Sequence, residues 1–374
     1  MKRTRDLAEQ KPEALVNMPR TSFEICGETI APGTRATLSL PLPSQSSYTP
    51  LSMPVHVVHG KKDGPVVFIS AAIHGDEING IEVIRRVLHI KAISRLRGTL
   101  ICVPIVNVYG FFNHTRYLPD GRDLNRSFPG SKSGSLAARV AKIFASEIVD
   151  KCSYGIDLHT GSNHRINLPH IRANLENPEC ARLAKAFGAP VAIDANLRDG
   201  SLRQYAMEKG LSMLLYEAGE GLRFDNLSIR AGVRGITNVL RALEMIPNRK
   251  TAEKSGASKS ADKPQVIETR SSQWVRAPQA GLMRIEVPLG SRVEPNQIVG
   301  RIADSIGENE TLVESPVTGI IIGRNNLPVV NEGDALFHIA LFDDSNDVKK
   351  AIDNFQDLHI EGLDPNDYPD SHVI

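Results

Sequence analysis

The chain has 374 residues, which is more than one domain of ordinary size and predicts two. Its 44 lysine and arginine residues nearly balance 43 aspartate and glutamate residues, which argues against a nucleic-acid partner or an anionic membrane surface. No apolar stretch approaches the roughly 20 residues that a bilayer-spanning helix needs, so no membrane partner is expected.

The N-terminal segment and the cysteines indicate a cytoplasmic protein. Residues 1–6 are charged, and no apolar stretch of the kind found in secretion signals follows them. The four cysteines are widely separated and show neither paired metal-ligand spacing nor a redox motif. We therefore expect free thiols in a reducing compartment.

Residues 1–50 are predicted to form an arm followed by short strands. The first 20 residues are polar, and the next stretches alternate polar with apolar residues between prolines and glycines, as antiparallel strands do. Residues 51–247 then alternate apolar strands with amphipathic helices, which predicts crossover connections and a helix-covered sheet. The clearest strands are residues 66–70, 99–103 and 213–216, and the clearest helices are residues 81–88, 137–148, 178–187 and 227–243.

Two polar segments flank a second unit. Residues 248–267 lack periodicity and are predicted to be an exposed linker. Residues 344–374 are acidic and polar, and we expect a surface tail there. Between them, residues 268–343 are predicted to form a smaller all-β domain.

A weak internal repeat indicates the type of this β domain. The sequence APQAG at residues 277–281 is echoed by SPVTG at residues 315–319. Two copies of short strands with proline and glycine turns resemble the biotinyl/lipoyl-type barrel-sandwich. Carrier domains of that type present a lysine between the halves, but residues 302–314 contain none. The resemblance therefore implies the fold and not the carrier function.

Three side chains are candidate metal ligands. His74 and Glu77 lie three residues apart between an apolar strand and a helix, and His159 follows a second apolar strand. Two histidines and one glutamate, with one coordination position left for water, form a known catalytic zinc arrangement. Asp157 would share the strand face of His159 and either orients residues of this site or is a capping carboxylate.

Two further motifs raise the specificity of this pattern. They are the loop DLNRSFPG at residues 123–130 and Glu217 in the sequence LYEAG. With these elements in order, residues 50–245 resemble the succinylglutamate desuccinylase/aspartoacylase family, relatives of the zinc carboxypeptidases. The resemblance implies an α/β fold with a carboxypeptidase-like helix-covered mixed sheet, and one zinc ion per chain.

The resemblance also implies roles for individual residues. Glu217 corresponds to the general acid/base that moves a proton from water to the leaving nitrogen. Arg116 corresponds to the arginine that stabilises the oxyanion, although a slightly longer loop leaves Arg122 as an alternative. Asn125 and Arg126 correspond to the pair that holds the substrate carboxylate, a task suited to the forked donors of a guanidinium.

The predicted function is a zinc-dependent amidohydrolase that cleaves a small N-acyl amino acid into a carboxylate and a free amino acid. A carboxypeptidase acting on a C-terminal peptide bond uses the same groups and is the first alternative. A non-catalytic metal-binding relative is the second, but it would have no need of Glu217. The sequence is compatible with a homo-oligomer.

Overall fold

The computed structural model describes residues 20–44, 46, 49–195, 197–248, 266–342 and 345–360. The predicted arm before residue 20, linker residues 249–265 and residues 361–374 lie outside these described residues. No helix in the described ranges is long and apolar enough to cross a membrane.

Strands and helices alternate through the first two thirds of the chain, and short strands dominate the last third. The strands are β1 (Phe23–Ile25), β2 (Glu28–Ile30), β3 (Thr34–Pro41), β4 (Ser52–His59), β5 (Lys62–Ala71), β6 (Arg97–Val103), β7 (Tyr154–Gly161), β8 (Arg165–Ala173), β9 (Val191–Asp194), β10 (Ser212–Glu220), β11 (Ile267–Thr269), β12 (Ser272–Arg276), β13 (Gly281–Ile285), β14 (Arg292–Val293), β15 (Ile298–Ala303), β16 (Glu310–Glu314), β17 (Gly319–Asn325), β18 (Val329–Val330) and β19 (Ala335–Ala340). The helices are α1 (Asn79–His89), α2 (Val108–Phe112), α3 (Leu136–Glu147), α4 (Pro178–Phe187), α5 (Leu202–Glu208), α6 (Asn226–Ala242) and α7 (Ser345–Ile360).

One large mixed sheet organises the molecule, as the sequence predicts. Ten of its 13 strands follow the order β12-β19-β17-β8-β10-β7-β5-β6-β4-β3. Strands β10, β7, β5 and β6 run parallel, and β8 and β4 flank them in the antiparallel sense. Because the carboxyl ends of parallel strands meet at one edge, residues that follow β5, β7 and β10 come together there.

Two apolar cores cover the two faces of this sheet. Side chains alternate along a strand, so Ile69 of β5 enters one core and its neighbour Phe68 enters the other. Helices α1, α4 and α6 pack on the face of Ile69, with Ile84 and Leu183 among the buried contacts. Helices α3 and α5 pack on the face of Phe68, where Phe144 makes an edge-on ring contact with it.

Residues next to α4 in the sequence determine where this helix begins and ends. The predicted helix at residues 178–187 coincides with α4. Asn177 caps its first turn by accepting hydrogen bonds from the backbone amides of Glu179 and Cys180. Pro178 suits the first turn, where a backbone N–H would have no partner within the helix. Gly188 ends the helix in the left-handed conformation that glycine adopts without strain.

The C-terminal strands belong to two sheets. Strands β16, β15, β13 and β18 form a separate antiparallel sheet. Strands β12, β19 and β17 instead extend the large sheet, because β17 pairs with β8 through Gly323 and Asn167. The segment predicted as a smaller β domain therefore shares a continuous sheet with residues 51–247.

The prediction of a surface tail at residues 344–374 is wrong for the part that forms α7. Val348, Ala351, Ile352 and Phe355 are buried within this helix. Their spacing of three and four residues forms one apolar stripe, which packs into cores shared with the large sheet. Because the segment is acidic overall, this stripe was not recognised from the sequence.

Candidate active site

The turn that carries the first two candidate ligands is held in place by close backbone packing. His74 and Glu77 lie between the end of β5 and the start of α1. Gly75 lies so close to α2 that an added Cβ atom would be 1.9 Å from the backbone carbonyl carbon of Gly110. Any larger residue at this position would displace the turn and the candidate ligands on both sides of it.

The three candidate metal ligands converge. His74, Glu77 and His159 are buried, and their ligand atoms all lie within 4.8 Å of one another. The Nδ1 atom of His74 is 2.8 Å from one oxygen of Glu77, and the Nδ1 atom of His159 is 2.8 Å from the other. Two imidazole nitrogens around one carboxylate are donors that zinc accepts, so the group fits this ion.

A carboxylate contacts the second ring nitrogen of each histidine. Asp157 lies 2.7 Å from Nε2 of His159, and Asp123 lies 3.2 Å from Nε2 of His74. Ser70 donates a hydrogen bond of 2.7 Å to Asp157 and fixes its orientation. These contacts direct both Nδ1 atoms toward Glu77, so Asp157 orients a candidate ligand. The role of Asp123 was not anticipated, although it begins the loop motif at residues 123–130.

Glu217 lies beside the candidate ligands. Its strand β10 is parallel to β7, and Glu217 is the register partner of His159. Its side chain is 16% exposed, which leaves the carboxylate accessible from a cavity that the candidate ligands also line. Burial raises the pKa of the Glu217 carboxyl above its ordinary value, against the opposing effects of Arg172 and His159. A carboxylate with a raised pKa suits proton transfer.

A β-bulge brings two polar side chains of β8 to Glu217. Asn167 donates a hydrogen bond of 2.9 Å to its Oε2 atom, and Nε of Arg172 is 4.0 Å from Oε1. In a regular strand, residues 167 and 172 would point to opposite faces. The pairing of β8 with β10 is irregular between Glu217 and Gly219, and this bulge places both side chains beside Glu217.

The structure brings Arg116, and not Arg122, to the candidate ligands. Arg116 donates hydrogen bonds of 2.9 Å to Ser162 and 2.8 Å to Asp123. Burial alone would lower the pKa of Arg116, but Glu77 and Asp123 raise it above its ordinary value, so the side chain stays cationic. Arg122 is 64% exposed and does not line the cavity beside the ligands.

Asn125 and Arg126 lie on a short helical turn facing the same cavity. Asn125 is buried, and its side-chain oxygen accepts a hydrogen bond of 2.8 Å from the backbone amide of Leu202. This bond directs the amide NH₂ group away from Leu202. Arg126 donates a hydrogen bond to the backbone carbonyl of Asn125, which joins the pair into one unit.

All of the predicted site residues except Asp157 and the alternative Arg122 meet in one cavity of about 350 Å³, which we call the site cavity. Its volume is near the lower end of the range typical of small-molecule sites, so it suits a small substrate. A larger cleft of about 730 Å³ contains none of the predicted residues. The predicted residues that line the site cavity are His74, Glu77, Arg116, Asn125, Arg126, His159 and Glu217.

The C-terminal strands contribute part of the cavity wall. Trp274 of β12 and His338 of β19 stack with ring centroids 4.5 Å apart, and both line the cavity. The guanidinium of Arg165 lies over the Trp274 ring at 5.5 Å. No local pattern in the sequence indicated this wall, although Trp274 is the sole tryptophan of the chain. The other cavity residues that we did not anticipate include Ser162, Asn167, Arg172, Arg198 and Arg203.

Comparison with known proteins agrees with this geometry. The model of the succinylglutamate desuccinylase/aspartoacylase catalytic domain matches residues 63–243. The N-alpha-acetyl-L-2,4-diaminobutyric acid deacetylase of Halomonas elongata is 29% identical over 316 residues, which cover 81% of this chain and 90% of the relative.

Two solved structures share the fold. A succinylglutamate desuccinylase/aspartoacylase from Rhodobacter sphaeroides has a TM-score of 0.72 and 24% identity, covering 82% of this chain and 95% of its own. The product-bound ectoine utilization protein EutE (DoeB) from Ruegeria pomeroyi has a TM-score of 0.74 and 20% identity, covering 88% of this chain and 98% of its own. At these identities the likeness concerns the fold alone.

Proposed function

We propose that this chain, which belongs to the succinylglutamate desuccinylase/aspartoacylase family, is a zinc-dependent deacylase that cleaves an N-acyl amino acid into a carboxylate and a free amino acid. Amide hydrolysis is the activity of the family and of the deacetylase relative. The observation that carries the proposal is the site cavity, where the His74, Glu77 and His159 group lies beside Glu217 and the Asn125–Arg126 pair.

His74, Glu77 and His159, which we call the metal group, have a different role in the reaction from Glu217. Zinc held by His74, Glu77 and His159 would supply a Lewis acid and a bound water with a pKa of about 7. Glu217 takes the proton of the attacking water and returns it to the leaving nitrogen. The hydrogen bond from Asn167 holds one oxygen of Glu217 in place, so the other is available for this transfer.

Arg116 and the Asn125–Arg126 pair act on the two ends of the reacting amide. Arg116 stays cationic beside the metal group and donates to the oxygen that gains negative charge in the transition state. Asn125 and Arg126 hold the α-carboxylate next to the scissile nitrogen, since a guanidinium and an amide together satisfy several carboxylate lone pairs. The substrate therefore binds with its acyl carbonyl near Arg116 and its carboxylate near Arg126.

A substrate panel tests this function. We expect zinc-loaded protein to release free amino acid from N-acetyl, N-succinyl or N-formyl amino acids, measured by an amine-detecting assay. Dipeptides with a free C-terminus are the comparison, and faster cleavage of these would identify a carboxypeptidase instead. Zinc binding without hydrolysis of any panel member would identify a metal-binding protein that has kept the fold.

The proposed contact between Arg126 and the α-carboxylate leads to a second expected result. Arg126→Ala removes charge-assisted hydrogen bonds worth about 1.5–3 kcal/mol, which corresponds to a loss of about 10- to 150-fold in kcat/KM. Arg126→Lys keeps the charge but not the fork, so we expect partial recovery. A substrate with its α-carboxylate amidated should be poor for the wild type and hardly worse for Arg126→Ala. Independent, additive losses would show that Arg126 does not contact this carboxylate.

We further infer that residues 268–343 keep a biotinyl/lipoyl-like barrel-sandwich without the carrier function. An apolar core that includes Val299 and Phe337 joins the separate four-stranded sheet to β19, which supports a sandwich of two layers. The hairpin of β15 and β16 contains no lysine to accept biotin or lipoate. The unit instead narrows the site cavity through Trp274 and His338.

A further inference from the structure

We propose that a second cleft, at the opposite end of the large sheet from the site cavity, binds a small molecule that carries a chain of phosphate groups. This cleft has a volume of about 730 Å³ and shares no lining residue with the site cavity. We call it the basic cleft, after the side chains that line it: Arg35, Lys61, Lys62, Arg95, Arg97 and Arg241. The proposal does not depend on the deacylase activity.

The basic cleft lies where strands β5 and β6 begin. Lys62 is the first residue of β5 and Arg97 is the first residue of β6, and both line the cleft. His74 of the metal group follows the other end of β5, and a strand of 10 residues spans roughly 30 Å. A molecule bound in the basic cleft is therefore too distant from the metal group to be the substrate.

Positive charge dominates the lining of the basic cleft. Its six lysine and arginine side chains face a single carboxylate, that of Glu244. The whole chain has a net charge of only +1, so this excess of positive charge is local. A concave surface with one sign of charge focuses the electrostatic field and concentrates ions of the opposite sign.

The protein leaves most of these charges uncompensated. Among the residues that the structure describes, no carboxylate forms an ion pair with Lys61, Lys62 or Arg95. Arg35 and Arg97 each donate to a backbone carbonyl oxygen, at 3.4 and 3.3 Å, and such an oxygen carries no net charge. A bound anion would therefore gain contacts that the protein itself does not supply.

Two of the cations are placed so that an anion between them would stabilise both. Lys62 and Arg97 are register partners in the parallel strands β5 and β6, so their side chains leave the same face of the sheet. Like charges opposite each other on neighbouring strands repel and lower stability. A phosphate group bound between Lys62 and Arg97 replaces this repulsion with two attractive contacts.

Close backbone packing holds one wall of the basic cleft in place. Gly60 and Leu96 both line the cleft, and a Cβ atom added to Gly60 would lie 2.0 Å from the carbonyl oxygen of Leu96. The backbone amide of Gly60 also donates a hydrogen bond of 2.9 Å to the carbonyl oxygen of Gly98. A wall fixed in this way lowers the cost of ordering the cleft when a ligand binds.

The number and exposure of the cations indicate the class of ligand. An exposed ion pair contributes little by itself, so a ligand with one carboxylate would bind weakly. A chain of phosphates contacts several cations at once, and both the fork of arginine and the point charge of lysine bind phosphate. The volume of the cleft is within the range typical of small-molecule sites, which leaves room for an organic group on the phosphate chain.

Isothermal titration calorimetry with the zinc-loaded full chain tests the proposal. The ligands are ATP, coenzyme A and inorganic tripolyphosphate, which carry phosphate chains attached to different groups or to none. We expect saturable binding of at least one of them, with one molecule per chain, and the tightest of the three identifies the source of the phosphate chain. Absence of saturable binding by all three would overturn the proposal.

A double variant assigns the binding to the basic cleft. Lys62→Gln combined with Arg97→Gln should weaken binding of the tightest ligand by about 3- to 30-fold. The matched control is Lys209→Gln combined with Arg276→Gln, which removes the same charge from exposed residues outside the cleft and should bind like the wild type. Wild-type affinity in the Lys62 and Arg97 double variant would remove this cleft as the binding site.

Thermal unfolding separates a binding role of Lys62 and Arg97 from a structural role. The double variant lacks their mutual repulsion, so its Tm without ligand should equal or exceed that of the wild type. The rise in Tm caused by the ligand should be smaller than in the wild type, because a ligand stabilises only as far as it binds. A lower Tm without ligand and an unchanged rise with it would show that the pair supports the fold instead.

Two variants of the site cavity exclude binding at the wrong place. His74→Ala and Arg126→Ala change the metal group and the site cavity, and both should bind the tightest ligand like the wild type. Loss of binding in either variant would place the phosphates at the zinc ion or in the site cavity and overturn the proposal. Because binding is measured without turnover, this result is independent of whether the chain hydrolyses N-acyl amino acids.

Discussion

Glu217→Gln protein should bind zinc like the wild type but turn over substrate about 10²- to 10⁴-fold more slowly. Glutamine has nearly the same shape but cannot take a proton from water at neutral pH, and a positioned base contributes about this factor. Its side-chain oxygen can still accept the hydrogen bond from Asn167, so local structure should persist. The measurement is kcat at saturating substrate, with zinc content determined on the same preparation.

A glutamate on the same strand provides the control. Glu220 lies three residues beyond Glu217 in β10 and accepts a hydrogen bond from Asn326, which directly follows β17. Glu220→Gln carries the same chemical change outside the predicted catalytic residues, so its turnover should stay near that of the wild type. Near-normal turnover of Glu217→Gln would exclude Glu217 as the proton carrier.

Removing either histidine of the metal group should abolish both zinc binding and hydrolysis. The wild-type protein is expected to hold about one zinc ion per chain, because three buried donors define a single site. His74→Ala and His159→Ala each leave two protein donors, which bind zinc too weakly to retain it against water and buffer. Elemental analysis after dialysis against buffer without metal measures the loss.

Two further variants serve as comparisons for this loss of zinc. Asp157→Asn keeps all three donors but weakens the orientation of His159, so its zinc affinity should fall by about 10- to 100-fold without complete loss. His56→Ala changes a histidine of β4 that contacts Thr37 and does not line the site cavity, so it should retain wild-type zinc content. Full zinc stoichiometry in both His74→Ala and His159→Ala would place the ion elsewhere.

Short-range signals made much of the site predictable. His74 and Glu77 are three residues apart on one turn, so their proximity follows from covalent geometry. His159 and Glu217 follow apolar strands, and parallel strands bring such residues to one edge of a sheet. The helix at residues 178–187 could be bounded because Asn177, Pro178 and Gly188 each act locally.

Other features depended on which distant strands pair. The sequence determined the mixed α/β fold, the metal group and the candidate base, since each rests on local pattern or on chain order. The tertiary structure alone decided that β17 joins β8 and so brings Trp274 and His338 to the cavity. It also placed Arg172 beside Glu217 through a β-bulge, and it packed α7 where composition indicated a tail. Register, bulges and the burial of an amphipathic helix depend on complementary surfaces far apart in the chain, and no local run of residues encodes them.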